Sequence, residues 1–150
     1  MAKSIWNKEQ GDALWKRLQN LKPNNKRQWG KMTVSQMLRH IDVAYKNAMG
    51  EIKVPMNALA PLASFTPIKH TIIYALPFLK NLPTATEYKM EEDSDFQESY
   101  DQFLKTFQKI RAVSDVSSFD SHPFFGKLNR KEWGALLYKH LDHHLRQFSA

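Results

Sequence analysis

The chain contains no cysteine, and this absence narrows its chemistry at the outset. Disulfides, thiolate nucleophiles and cysteine-based zinc sites are all excluded, so a metal ion would have to be held by histidine, aspartate or glutamate. A chain without cysteine is compatible with a reducing compartment. The charged N-terminus, which lacks an apolar run of signal-peptide length, indicates no export. We therefore expect a cytoplasmic protein.

Long hydrophobic runs are missing as well. The most apolar segment, TIIYALPFL, is nine residues long and contains a proline. A membrane-spanning helix needs about 18 apolar residues, so the sequence predicts no transmembrane helix.

Acidic residues are outnumbered, with 15 Asp and Glu against 22 Lys and Arg, which gives a formal net charge of +7. A positive field attracts anions, phosphates and nucleic acids. The basic residues are scattered and form no patch or known motif, so a nucleic-acid interface is not predicted. An anion- or partner-binding role stays open.

The composition is that of an ordinary folded protein, with 42% hydrophobic and 25% charged residues in 150. This length predicts one domain over residues 1–150. Apolar residues recur at helical spacing in four segments, and no segment shows the alternation typical of strands. Four long helices are predicted, over residues 5–21, 33–49, 94–110 and 130–148.

Three of these helices have start signals in which a capping side chain is followed three residues later by Glu or Gln. The pairs are Thr33 with Gln36, Ser94 with Gln97, and Asn129 with Glu132. Together with the apolar stripes, they predict an all-α, up-and-down four-helix bundle with one long crossover.

The predicted crossover, residues 51–90, holds five of the seven prolines, which exclude a long regular helix. Thr66 followed by Pro67 predicts the start of one short helix. A structureless loop of this length is uncommon in a compact domain, so we expect it to pack along the bundle as a lid or wrap. Its apolar residues, such as Ile72, Ile73, Leu76 and Phe78, could cover a homodimer surface instead of the core.

Three of the six histidines lie within YKHLDHHLRQF, near the C-terminus. On a helical wheel, His140 and His144 fall inside the apolar stripe, while His143 lies at its margin and Asp142 on the opposite, solvated side. Side chains four residues apart lie one above the other, so both imidazoles could reach one metal ion. They could equally be core histidines that are hydrogen-bonded to backbone or water.

A third ligand would have to come from another part of the chain. The candidates are His40, His70 and His122, and on the wheel His40 is only an edge residue of the second helix. The motif HLDHH lacks the glutamate of H-E-x-x-H, so a zincin-type protease is disfavoured.

The segments TVSQMLRH, ending in His40, and HLDHHLRQF resemble the DinB-like (YfiT-like) superfamily of metalloenzymes, over nearly the whole chain. This resemblance implies a four-helix bundle in which His40, His140 and His144 bind a divalent ion, zinc or nickel, with an open position for water. It also implies a small-molecule substrate, such as a low-molecular-weight thiol. The chain departs from the family in having no obvious second catalytic carboxylate beside the triad, although His122, His143 and Asp42 could lie near it.

Two functions remain in competition. In the first, the chain is a metal-dependent enzyme whose three-histidine site activates water or a small thiol for hydrolysis or transfer. In the second, it is a non-catalytic helical bundle that binds a partner or an anion, and its metal site is structural or vestigial.

Overall fold

The structure is a computed structural model that describes residues 2–80 and 86–150. It contains six α-helices: α1 (Lys8–Gln19), α2 (Val34–Ala48), α3 (Ala60–Ala63), α4 (Thr66–His70), α5 (Phe96–Arg111) and α6 (Arg130–Gln147). A π-helical turn, Thr71–Ala75, continues α4, and a 3₁₀ turn, Thr86–Tyr88, precedes α5. The described residues form no strand, only one isolated bridge between His122 and Gly126. The all-α prediction is confirmed.

The long helices begin where their side chains can accept the first free N–H groups. The capping boxes at Thr33 and Asn129 are present as predicted. The prediction for α5 is wrong by one residue, because Asp95 rather than Ser94 accepts from the Glu98 N–H. The Ser94 hydroxyl is instead paired with Ser99.

In its described residues, the crossover contains only short helices, as its prolines predict. Helix α4 begins at Thr66 with Pro67 in its first turn, as predicted. Helix α3, only four residues long with Pro61 near its start, was not predicted. Pro83, the last of the five prolines, lies outside the described residues.

Helices α2 and α6 pack against each other and run antiparallel. The buried Tyr45 hydroxyl donates to the Leu137 carbonyl over 2.8 Å. One to two turns earlier in α2, His40 contacts His140, which lies later in α6. This pairing brings the middle of α2 to the histidines of α6.

Helices α2 and α5, in contrast, run parallel. Thr33, at the start of α2, bonds to Asp93 just before α5. Beyond the far end of α2, Glu51 pairs with Lys109 near the end of α5. The strict alternation of an up-and-down bundle is therefore wrong for this pair. A short loop makes the two helices that it joins antiparallel. The long crossover instead returns the chain to the start of α2, so α5 begins there and runs in the same direction as α2.

Helices α1 and α6 also run parallel. The Ile5 N–H donates to the Gly134 carbonyl, and Arg17 forms an ion pair with Asp142 further along both helices. Asp142 is buried, so its predicted place on a solvated face is wrong, whereas the neighbouring Arg146 is exposed. A wheel finds one apolar face, but α6 contacts both α1 and α2 and is buried nearly all round.

The crossover is partly packed and partly exposed. Ile73 is buried in the core, and the π-helical turn packs against α6. Among the residues that the structure describes, seven large apolar side chains are exposed, and they lie between residues 56 and 79: Met56, Leu59, Leu62, Phe65, Tyr74, Leu76 and Leu79. In the part of the chain that the structure describes, no helix has the length and apolar character to cross a membrane.

Candidate metal centre

The antiparallel packing of α2 on α6 brings three histidines together. His140 and His144 lie one turn apart on α6, and His40 faces them from α2. One ring nitrogen of each lies within 4.8 Å of the others, and the Nε2 atoms of His40 and His140 are 3.1 Å apart. Of the three candidates for a third partner, the structure therefore selects His40.

The three rings are shielded from water. His40 and His144 are only 6% and 7% exposed, and His140 is partly buried. Burial lowers the pKa of His40, although its bond to the Tyr88 carbonyl opposes this, and lowers the pKa of His144 to about 3. Burial, followed by the neighbouring histidines, holds the pKa of His140 well below its usual value. All three are neutral at pH 7, the state in which imidazole binds metal.

Two of the rings are held by hydrogen bonds on the side away from the cluster. His40 Nδ1 lies 2.9 Å from the Tyr88 carbonyl oxygen, and His144 Nδ1 lies 2.8 Å from Gln147 Oε1. Metal-binding histidines in proteins commonly bond in this way through the second ring nitrogen.

The cluster fits a divalent ion. Zinc lies about 2.0 to 2.1 Å from histidine nitrogen, so two ligands of a tetrahedral site are separated by about 3.3 Å. The 3.1 Å between the Nε2 atoms of His40 and His140 is close to this value. Three imidazoles suit zinc, nickel and similar ions. The three buried histidines could therefore bind a metal ion.

Two aromatic rings lie beside His143, next to the cluster. The half-buried His143 ring has its centroid 5.3 Å from Trp29 and 5.9 Å from Phe78. Phe78, which comes from the crossover, is also 5.9 Å from the His140 ring. His143 is therefore a neighbour of the triad, placed at its aromatic rim.

The other two predicted neighbours make different contacts. His122 is near enough to His140 to lower its pKa, but its ring is not part of the three-histidine cluster. His122 packs against Phe125 and Trp133 and accepts backbone N–H groups of its own turn. Asp42 is buried, but its carboxylate bonds to Thr106 on α5, on another side of α2. The expectation that Asp42 could lie beside the triad is therefore wrong.

His70 is half exposed and contacts the buried Glu132 at 3.2 Å. Lys69 bonds to the same carboxylate oxygen, 2.8 Å away. Glu132 also accepts from the Asn129 N–H in the capping box of α6. His70 therefore helps to attach α4 to the start of α6, and it lies outside the three-histidine cluster.

Sequence reasoning missed the two groups that hold the rings. Gln147 follows His144 by three residues, a helical spacing at which side chains meet, so its role could have been noticed. The Tyr88 group is a backbone carbonyl in the crossover and has no sequence signal.

Fold and site together thus define the class of protein: a helical domain, in its described residues, with a cluster of three histidines between α2 and α6. The family model described as "Protein of unknown function (DUF1569)" matches residues 7–150, and the chain belongs to this family. The resemblance to the DinB-like superfamily is corrected by this match, which is to a different family model. No curated protein and no solved structure matches the chain.

Proposed function

We propose that the chain is a metal-dependent enzyme whose divalent ion, zinc or nickel, is held by His40, His140 and His144. The observation that carries this proposal is the convergence of three neutral ring nitrogens within 4.8 Å of one another. Three histidines with an open position are typical of catalytic rather than structural zinc. When bound, such an ion lowers the pKa of water or a small thiol toward neutrality, as hydrolysis or group transfer requires.

The residues around the triad have separable roles in this proposal. Burial keeps the three imidazoles neutral, and the rings of Trp29 and Phe78 limit the access of water. His143 lies at the rim, where an incoming small molecule would contact it. The substrate class that these surroundings favour is a small molecule with an apolar part, because aromatic rings form the rim.

The fold supports the same proposal. We infer that α1, α2, α5 and α6 form one four-helix bundle within a single domain, with the triad between α2 and α6. Bundles build metal sites from side chains on facing helices, and the triad has this arrangement.

Metal analysis of untagged protein tests the proposal most directly. We expect about one zinc or nickel ion per chain after purification, or stoichiometric zinc binding to metal-stripped protein by calorimetry. An affinity tag must be avoided, because its histidines bind the same ions. Wild-type protein that binds no zinc or nickel at micromolar concentration would refute the metal site and the enzyme proposal together.

A second candidate is a non-catalytic bundle that binds a partner, and the exposed apolar side chains of the crossover favour it. Surfaces of this kind commonly mark protein interfaces, including those of homodimers. Light scattering coupled to gel filtration measures the mass of the particle in solution. A dimer that dissociates when Leu62 and Phe65 are replaced by serine would support this role, whereas a monomer would rule out the homodimer.

A further inference from the structure

The orientation of the Gln147 side chain determines which nitrogen of His144 carries the proton. Gln147 Nε2 lies 2.9 Å from the Trp29 carbonyl, which can only accept, so the amide nitrogen faces Trp29. Gln147 Oε1 therefore faces His144 Nδ1 at 2.8 Å and must accept a proton from it. His144 is then protonated at Nδ1, and its Nε2 lone pair is free.

The same reasoning applies to His40. Its Nδ1 lies 2.9 Å from the Tyr88 carbonyl, again a pure acceptor, so His40 is also protonated at Nδ1. Tyr88 is fixed against α2 by its hydroxyl, which donates to Asn47 Oδ1 over 2.8 Å. Asn47 in turn donates to the Ile52 carbonyl.

His140 differs from its two partners. Its Nε2 lies 3.1 Å from His40 Nε2, which carries no proton in the tautomer just assigned. Two nitrogens at this distance form a hydrogen bond only if one of them donates. In the metal-free protein, a hydrogen bond between these two nitrogens requires His140 to be the donor and therefore to be protonated at Nε2.

We propose that Gln147 and the Tyr88 carbonyl are positioning groups that fix His144 and His40 in the Nδ1–H tautomer, with Nε2 directed into the cluster. This inference rests on the proposed function, because fixing the tautomers serves metal binding only if the triad binds an ion. His40 and His144 therefore have the metal-binding tautomer before an ion arrives. Only His140 changes tautomer to offer its Nε2 to the ion. Neither the Gln147 amide nor the Tyr88 carbonyl would contact the metal or a substrate.

Long-range ¹H–¹⁵N spectra of the imidazoles in metal-free protein test the tautomers directly. We expect His40 and His144 in the Nδ1–H form and His140 in the Nε2–H form. Replacement Gln147→Leu should remove the preference of His144 and leave His40 unchanged. His144 found in the Nε2–H form in the wild type would overturn the inference without any metal being added.

Zinc affinity separates positioning from a merely structural role. Gln147→Leu should weaken zinc binding about 10- to 100-fold, as the loss of such partners does elsewhere. Gln147→Glu keeps an acceptor for His144 but loses the N–H donor to Trp29, so we expect wild-type or tighter zinc binding in a less stable protein. If zinc affinity falls in step with thermal stability in both variants, Gln147 is structural and the inference is wrong.

The two proposals fail in different ways. A wild type with the expected tautomers but no zinc binding would refute the proposed function and support the assignment of Gln147 and Tyr88. A wild type that binds zinc with His144 in the Nε2–H form before loading would refute only the present inference.

Discussion

The described part of the chain contains two sites of largely buried histidines, His122 and the triad, which differ in what their ring nitrogens bond to. Burial lowers the pKa of His122 to about 3, as it does for His144. His122 Nδ1 accepts the N–H groups of Phe124 and Phe125, at 3.1 and 3.2 Å, so its lone pair is used within its own turn. Its ring packs against Trp133. His122 therefore stabilises the turn that precedes α6.

In the triad the arrangement is reversed. His40 and His144 each bond through Nδ1 to a group outside the cluster, and His40 Nε2 faces His140. A low pKa and burial are common to both sites, so neither property identifies a metal site. The direction of the lone pairs distinguishes them.

The largest expected effect is on zinc binding when a triad residue is lost. His40→Ala, His140→Ala and His144→Ala should each weaken zinc binding on the order of 100-fold or more, because each removes one of three ligands. Calorimetric titration of metal-stripped protein provides the measurement.

His143→Ala and His122→Asn are the matched controls for this titration. Both replace histidines of lowered pKa that lie outside the cluster, so zinc affinity should stay within several-fold of the wild type. A large loss with His143→Ala, together with unchanged affinity in His140→Ala and His144→Ala, would show that the ligands are assigned wrongly.

A second prediction concerns acid stability. Because the pKa of His122 is about 3 when folded and about 6.5 when unfolded, the unfolded chain binds a proton between these values that the folded chain does not. The free energy of unfolding should therefore fall as pH drops from 6.5 toward 3, by up to about 1.4 kcal/mol per pH unit for this group.

His122→Asn tests this pH dependence while keeping an acceptor for the turn. The variant should be less stable at pH 7, because it loses ring packing, yet its stability should depend less steeply on pH below 6.5. Urea unfolding at several pH values measures both effects. An unchanged slope would mean that His122 is protonated in the folded protein over this range.

A smaller effect is expected in the crossover. Phe78→Ala should lower the free energy of unfolding by about 1 to 2 kcal/mol, because its half-buried ring contacts His140 and His143. Leu79→Ala, at a side chain that is 63% exposed, should change stability by less than about 0.5 kcal/mol. Equal effects in the two variants would indicate that Phe78 does not pack on the triad.

The sequence alone determined the features that depend on neighbours within one turn. The capping boxes at Thr33 and Asn129, the start of α4 at Thr66, and the spacing of His140 and His144 were all predicted. The capping boxes and the histidine spacing rest on contacts between residues three or four positions apart, and the start of α4 rests on Pro67 in its first turn. Local chemistry is therefore sufficient to predict all of them.

Tertiary structure decided the features that depend on which helices meet. His40 was an edge residue on the wheel, and only the packing of α2 on α6 buries it beside His140. The burial of Asp142 follows from a second neighbour, α1, which a single apolar stripe does not reveal. The parallel course of α2 and α5 depends on the path of the crossover, and the crossover also supplies the Tyr88 carbonyl to His40. These contacts join residues far apart in the chain, where periodicity carries no information about partners, and so the complete triad exists only in the folded protein.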